Sequence, residues 1–352
     1  MRSFRLTRSF VSRSKIPTRH LSPSASAIQS LQQTRACSYR YNPQHTSMTS
    51  PASTGAAWGA WQVEPSSFTK SVVDSMKKLY PEELADRSWD NVGLLLSNTD
   101  DGTDKRKPVV MVTNDLTYQV AVDAIDQGAS VIVSYHPFIF SGLKSITHND
   151  PQQATLIRLA KAGVAVYCPH TAVDAAPEGL NTWLANVISG EHKSERSVAV
   201  PCNTAPESHS PAGYGAIGNF ADEVPLNEIL KRLAEKLGGL QHIMIASPVG
   251  SDPKTAKVKS FGVCAGSGYD VLKKADVDLI VTGETSHHSA LRAIQEGRTL
   301  VTVFHSNSER AYLQEVLKPR LQEDLRRQVK DAEVVVSKYD KDPFTIIDVK
   351  DL

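Results

Sequence analysis

The sequence predicts an α/β protein made of two related three-layer lobes, each built on a mostly parallel sheet. Three observations support this fold class. The chain has 352 residues, of which 40% are hydrophobic, so it is long enough and apolar enough for two packed lobes. Short apolar runs rich in Val and Ile alternate with helical patterns, as they do in βαβ units. Each run also ends in polar or ionisable residues, which places those residues together at one edge of a sheet.

The first lobe is predicted over residues 66–200. Ser66 can cap a helix whose apolar residues recur at helical spacing, and Pro81 ends that helix. The predicted strands of this lobe lie at residues 109–113, 130–134 and 164–168. The segments between them have the pattern of crossover helices.

The second lobe is predicted over residues 213–309, with strands at 258–264, 278–282 and 300–304. Residues 189–212 are rich in Ser, Glu, His and Pro, and we interpret them as an exposed connection, with 201–212 as the linker itself. A surface loop within one lobe is the alternative interpretation. The C-terminal segment, residues 310–352, is expected to form a long helix and a terminal strand that join the first lobe, and 344–347 is a further candidate strand.

The charge distribution separates a leader from the rest of the chain. Residues 1–63 contain eight Lys or Arg and no acid, whereas the remainder has an excess of acidic residues. An Arg- and Ser-rich segment without acids is typical of a mitochondrial transit peptide, so residues 1–60 are predicted to lie outside the fold and to direct import. A disordered basic tail is the alternative, and a second start at Met48 would produce a cytoplasmic form.

Composition also excludes several classes of partner. The acidic balance of residues 64–352 argues against a nucleic-acid surface. Apolar runs stay short of the roughly 18 residues that a membrane span requires, so no membrane association is expected. The four cysteines are far apart and form no CxxC pair, which argues against a disulfide framework and against a thiolate zinc site. A metal in this protein would need nitrogen and oxygen ligands.

Candidate metal ligands and acid–base groups follow the predicted strands. His305 and Glu309 are four residues apart, so on a helix both side chains lie on one face and can reach one cation. His170 and Asp174 have the same spacing, and His136 precedes Pro137, which keeps the backbone extended at the strand end. The alternatives are a Glu309–Arg310 surface pair and a helix-capping Asp174. Further ionisable residues at the strand ends are Glu284, His287 and His288.

Several motifs together resemble the Nif-three-like family, named after NGG-one-interacting factor three, whose bacterial relatives carry the label GTP cyclohydrolase I type 2 homologue. The motifs are Trp89-Asp90-Asn91-Val92-Gly93-Leu94, Asn114-Asp115-Leu116-Thr117, Ser134-Tyr135-His136-Pro137-Phe138-Ile139-Phe140, His170-Thr171-Ala172-Val173-Asp174-Ala175-Ala176-Pro177-Glu178-Gly179-Leu180-Asn181, Gly283-Glu284-Thr285-Ser286-His287-His288 and His305-Ser306-Asn307-Ser308-Glu309-Arg310. The resemblance covers about residues 66–350.

The resemblance implies a dinuclear metal centre between the two lobes and a homo-oligomer, either a hexameric ring or a dimer. By position, the family's ligands fall on His136, Asp174, His305 and Glu309, with Glu309 between the two metals. His287 and His288 match a motif that lines the same cavity. Bacterial members often have two adjacent histidines where this chain has Tyr135-His136. Because a phenol is a poorer zinc ligand than imidazole at neutral pH, there are two alternatives: the second metal site is not functional, or it is completed by water, His170 or His287.

These residues lead to two functional hypotheses. In the first, the protein is a metal-dependent hydrolase of unknown substrate that holds one or two divalent transition metals, Zn, Fe, Mn, Co or Ni, with Glu284, His287 or His288 transferring a proton. In the second, the metal stabilises a non-catalytic scaffold that binds protein partners, similar to a transcription co-regulator. Metal-dependent turnover distinguishes the two.

Overall fold

A computed structural model describes residues 65–99 and 106–352. The predicted leader lies outside these residues, so mitochondrial import and the cytoplasmic form remain predictions. No helix in the described part of the chain is long and apolar enough to cross a membrane.

The described residues form an alternation of strands and helices, which confirms the predicted α/β class. The strands are β1 Gly93–Leu96, β2 Val109–Thr113, β3 Val131–Ser134, β4 Ala165–Cys168, β5 Ser194–Pro201, β6 Gly213–Pro225, β7 Met244–Ala246, β8 Lys257–Cys264, β9 Leu279–Thr282, β10 Thr299–Thr302 and β11 Glu333–Val336. The α-helices are α1 Ser67–Leu79, α2 Tyr118–Asp126, α3 Pro151–Lys161, α4 Thr171–Ala175, α5 Leu180–Ser189, α6 Leu226–Lys236, α7 Tyr269–Leu272, α8 His287–Gln295, α9 Asn307–Tyr312 and α10 Lys318–Gln328.

The first sheet has five strands in the order β1-β4-β3-β2-β11. Strands β4, β3, β2 and β11 run parallel, and β1 is antiparallel to β4. The C-terminal strand β11 therefore returns to the first sheet, where Val334 is paired with Val110. Buried valines fill the central strands, as expected for parallel strands covered on both faces.

The second sheet has six strands in the order β5-β6-β8-β9-β10-β7. Strands β8, β9 and β10 run parallel, whereas β5, β6 and β7 make antiparallel pairs. This sheet is thus mixed, and its parallel part repeats the β-α-β-α-β order of β2 to β4.

The interpretation of residues 189–212 as an exposed connection is wrong for β5, which pairs with β6 along seven registered positions from Ser194 to Pro201 and so belongs to the second sheet rather than to the first lobe. An edge strand with one exposed side can carry the same polar residues as a loop, and most of β5 is exposed or half-buried. The candidate strand at 344–347 is also wrong, since these residues form no regular element.

Three hydrophobic clusters show how the layers pack. The central cluster joins the inner faces of both sheets, with Val110 from β2 and Val281 from β9 in one continuous core. The second cluster lies between the other face of the first sheet and helices α2 and α3, around Met111 and Leu159. The third lies between the other face of the second sheet and helices α7 and α8, around Ile280. This arrangement brings the carboxyl ends of β3, β4, β8, β9 and β10 to one cavity.

Candidate metal centre

Three predicted ligands converge where the two sheets meet. His136 follows β3, His305 follows β10, and Glu309 lies one turn further along in α9. Their ligand atoms all lie within 4.8 Å of one another. The two imidazole Nε2 atoms are 3.3 Å apart, and each lies near a different Glu309 oxygen, at 3.5 Å from His136 and 3.4 Å from His305. We refer to these three residues as the triad.

A carboxylate orients each histidine of the triad. His136 Nδ1 lies 2.9 Å from Asp115 Oδ1, and His305 Nδ1 lies 2.9 Å from Glu284 Oε1. With the Nδ1 proton donated to the carboxylate, each imidazole presents its Nε2 atom to the common centre, which is the arrangement that metal-bound histidines usually have. Hydrogen bonding from His305 lowers the pKa of Glu284, so this side chain remains an acceptor.

Glu309 is almost fully buried, with 2% of its surface exposed. Its Oε2 atom accepts a hydrogen bond from the Asn114 side chain at 3.0 Å. Burial lowers the pKa of His136, but the carboxylates of Glu309 and Asp115 outweigh that effect and raise the pKa to about 10. In the metal-free protein a proton on His136 therefore balances part of the negative charge of the site.

The donor set fits a divalent transition metal. Two imidazoles and a carboxylate are ligands that zinc, iron, manganese, cobalt and nickel all accept. Two ligands that each lie about 2.0–2.1 Å from a tetrahedral zinc ion are roughly 3.3 Å apart. The Nε2–Nε2 distance of 3.3 Å matches this spacing. The triad could hold a metal ion without a change of fold.

The neighbouring side of the site contains the other two predicted ligands, Asp174 and His170. Burial raises the pKa of Asp174 to about 6, although His170 and the Tyr135 hydroxyl act in the opposite direction. Tyr135 donates this hydrogen bond to Asp174 Oδ1 at 2.6 Å. Burial, together with the Asp174 carboxylate, raises the pKa of Tyr135 well above 10, so it remains a neutral phenol.

His170 is held by a different carboxylate. Its Nδ1 atom lies 2.7 Å from Asp90 Oδ1, and Asp90 also accepts hydrogen bonds from the backbone N–H and the hydroxyl of Thr171. His170 has φ +28°, a value that costs free energy for a residue with a side chain. Phe304, directly before His305, has φ +68°. Both strained residues thus lie where a strand leads into the site.

Two glycines allow the loops to approach the triad. Gly266 follows β8 with φ +59°, and a Cβ atom there would lie 2.8 Å from Glu309 Oε1 and 3.1 Å from His305 Nε2. A Cβ atom on Gly283 would lie 2.9 Å from the His305 Cα atom. Gly266-Ser267-Gly268 is therefore part of this site, where the Ser267 hydroxyl donates to Glu284 at 3.1 Å.

The C-terminal tail fastens the loops that carry the triad. Asp340 accepts hydrogen bonds from the Asn114 backbone N–H at 2.9 Å and from Arg310 Nε at 3.3 Å. Asp342 accepts a hydrogen bond from the Ser306 hydroxyl at 2.9 Å. The tail thereby contacts the neighbours of both His305 and Glu309. No sequence pattern marks these two aspartates as site residues, because they belong to no motif and have no neighbouring histidine.

His287 and His288 are exposed at the start of α8, and their rings contact each other with centroids 5.5 Å apart. They do not line the cavity of the triad within the described residues. Their role in proton transfer stays a prediction, as does the oligomer in which they would line a shared cavity.

The triad opens on a cavity of about 770 Å³. Asp174, His170 and Tyr135 line it beside the triad, and Trp89 and Phe140 form an aromatic part of its wall. Its lining comes from the loops of both sheets, since His136 follows a strand of the first sheet and Gly266 and His305 follow strands of the second. A volume of this size accommodates a small molecule next to the triad.

Known proteins are similar to this chain in sequence. A Schizosaccharomyces pombe protein, Protein NIF3 homolog, is 44% identical over 281 residues, which cover 80% of this chain and 97% of that protein. The Saccharomyces cerevisiae NGG1-interacting factor 3 is 41% identical over 78% of this chain and 96% of its own length. The human NIF3-like protein 1 is 28% identical over 79% of this chain and 92% of its own length.

Solved structures agree on the fold. A Bacillus cereus protein related to NIF3 has a TM-score of 0.63 at 19% identity and covers 79% of this chain and 98% of its own. Reduced HcgD from Methanocaldococcus jannaschii has a TM-score of 0.61 at 19% identity, with 77% of this chain and 97% of its own covered. The sequence profile of the Duf34/NIF3 (NGG1p interacting factor 3) family matches residues 68–343. This chain therefore belongs to the Duf34/NIF3 family.

Proposed function

We propose that this protein binds one divalent transition metal at the triad and hydrolyses a small molecule held in the adjoining cavity. The observation that carries the proposal is the convergence of His136, His305 and Glu309, whose ligand atoms lie within 4.8 Å of one another at the wall of a cavity of about 770 Å³. A buried carboxylate between two oriented imidazoles is costly to maintain unless a cation compensates it.

A metal held here would lower the pKa of a water molecule toward neutrality and polarise an electrophile. The chain's own residues supply the remaining parts. Asp115 and Glu284 hold the Nδ1 protons of the two histidines, so both Nε2 atoms can serve as ligands once a metal displaces the second proton of His136. Asp174 has one oxygen occupied by the Tyr135 hydroxyl, and its pKa of about 6 allows the other oxygen to exchange a proton near neutral pH.

This assignment differs from the roles expected from sequence. Glu284 was a candidate for proton transfer, but its Oε1 atom accepts hydrogen bonds from His305 and Ser267, so we assign it to positioning. Asp174 was a candidate ligand, but its Oδ1 atom is engaged by Tyr135. We therefore propose one tightly held metal per chain, with Asp174 as the acid–base group beside it.

The first experiment compares wild-type protein with Glu309→Gln, which keeps the size of the side chain and removes its charge. Purified without a His tag and dialysed against zinc, the variant should bind metal more than about 100-fold more weakly, since even a change to an outer partner costs roughly 10- to 100-fold. Glu315→Gln is the matched control, because Glu315 is exposed in the π-helical segment Leu313–Leu317, which follows α9 directly. Metal content is measured by elemental analysis.

Hydrolysis is tested on the same samples with a panel of cyclic amides and phosphate esters. Metal-dependent turnover by the wild type and the Glu315→Gln control, lost in Glu309→Gln, supports the proposal. Stoichiometric metal without turnover on any member of the panel refutes the enzymatic part and favours the metal-stabilised scaffold. Failure of the wild type to retain metal in any preparation refutes the metal centre itself.

A further inference from the structure

The cavity beside the triad has one aromatic wall, formed by Trp89 and Phe140. Both side chains are 52% exposed, and their ring centroids are 6.1 Å apart with an interplanar angle of 45°. Large apolar side chains exposed together at a cavity usually mark a binding site, since elsewhere they would be buried. The two rings offer a surface against which a flat molecule can stack.

The indole of Trp89 is held in place before any ligand binds. Its Nε1–H group donates to Asp86 Oδ2 at 3.0 Å, and it makes an edge-on contact with His170, with ring centroids 5.7 Å apart. His170 is itself fixed by Asp90. A ring that is already ordered loses little conformational freedom when a ligand stacks on it, so this geometry favours binding.

The charges of the cavity select among flat molecules. Asp86, Asp174, Asp270 and Glu309 line it. The protonated His136 and the Lys273 ammonium, 3.0 Å from Asp270, balance only part of this negative charge, and none of the described residues in the lining is a lysine or an arginine. A hydrogen bond from the Ser88 hydroxyl lowers the pKa of Asp86, which therefore remains a carboxylate beside the indole. Carboxylates next to an aromatic face attract a cationic or hydrogen-bond-donating ring and repel an anionic one.

We propose that this cavity binds planar ring compounds that are neutral or positively charged and carry no phosphate or carboxylate, with the ring stacked on Trp89 and its edge toward the triad. The inference rests on the proposed function for the identification of such a compound as the substrate. Its binding to the aromatic wall does not depend on a metal, so it can be tested separately.

The test uses three probes that share one bicyclic ring and differ in charge: 4-quinolone, N-methylquinolinium and quinoline-4-carboxylate. Their affinities for the full chain are measured by calorimetry, first after chelator treatment and then with zinc restored. In the metal-free protein, the neutral and cationic probes should bind at least about tenfold more tightly than the carboxylate, because only the carboxylate is repelled by the acidic lining.

Substitutions at Trp89 test whether the probes bind at the aromatic wall. Trp89→Ala should weaken 4-quinolone binding about tenfold, because stacking on one aromatic side chain typically contributes this much, and Trp89→Phe should restore most of it. Phe344→Ala is the matched control, since Phe344 is 75% exposed but does not line this cavity. Its affinity should equal that of the wild type.

Two results would overturn the inference: tighter binding of the carboxylate probe to the metal-free protein, or unchanged 4-quinolone binding in Trp89→Ala. Metal content, measured in parallel, separates this inference from the proposed function. Intact probe binding in a protein that retains no metal refutes the function and leaves the binding site, whereas bound metal with no probe binding refutes the site and leaves the metal centre.

Discussion

The two sides of the cavity contain the same residue types but differ in whether their polar atoms face a common centre. On the triad side, Asp115 and Glu284 contact the histidines at Nδ1, so both Nε2 atoms face a common centre. On the Asp174 side, the polar groups contact one another: Tyr135 donates to Asp174, and His170 pairs with Asp90.

The comparison shows that the hydrogen-bond partner of each side chain determines which of its atoms faces the common centre. A neutral imidazole whose Nδ1 proton is held by an outer carboxylate presents the Nε2 lone pair to the cavity. A carboxylate that accepts a short hydrogen bond from a neutral phenol has one oxygen less to offer. The first arrangement favours the binding of a cation, and the second favours the exchange of a proton at Asp174.

Removal of a carboxylate that orients a histidine should weaken metal binding at the triad. Asp115→Ala leaves His136 Nδ1 without its partner and should weaken zinc binding roughly 10- to 100-fold. Asp270→Ala is the matched control, because this acid lines the same cavity with a side chain that is 85% exposed. Competition with a fluorescent zinc chelator measures both affinities. Equal affinities for the two variants would contradict the orienting role of Asp115.

A change of pH should separate the two sides. The pKa of His136 is raised from 6.5 to about 10 in the metal-free protein, so zinc must displace a proton there, and affinity should rise about tenfold per pH unit between pH 7 and 8. Asp174, with a pKa of about 6, has already lost its proton in this window. The Asp174→Asn variant should therefore show the same slope as the wild type, and a pH-independent affinity would exclude a proton on His136.

The same shift affects the stability of the fold. Because the folded-state pKa of His136 is raised, its contribution to the free energy of unfolding is fully present below about pH 6.5 and is lost as the pH rises through about 10. Chemical denaturation of the metal-free protein at pH 7 and 9 should show this loss. The zinc-loaded protein should not show it, since its His136 is neutral at both pH values and keeps only the Nδ1 proton donated to Asp115.

The smallest effect is expected from a substitution that adds an imidazole on the Asp174 side of the cavity. Tyr135→His replaces a neutral phenol with an imidazole next to His136 and should raise the metal content from about one to about two per chain. Tyr135→Phe, which removes only the hydroxyl, should stay at one. Elemental analysis after equilibrium dialysis gives the stoichiometry. Two metals in the wild-type chain would show that the phenol does not block the second position.

The sequence predicted those ligands whose positions follow from their residue type and from local secondary structure. His305 and Glu309 could be paired because their i, i+4 spacing becomes one face of α9, and His136 could be placed because it ends a buried strand. The orienting role of Glu284 could not be derived from the sequence, since it depends on the register in which β9 pairs with β10. The edge strand β5 was missed because its polar residues match those of a loop.

The attachment of the tail also has a consequence for the order of events during synthesis. The loops with His136 and His305 leave the ribosome well before Asp340 and Asp342, the side chains that tie their neighbours together. A nascent chain that ends before β11 has all three donor residues but lacks both fastenings. If the triad holds a cation, as we propose, we expect tight binding only after Asp340 and Asp342 have been synthesised, and a chain that ends before β11 should bind the cation more weakly.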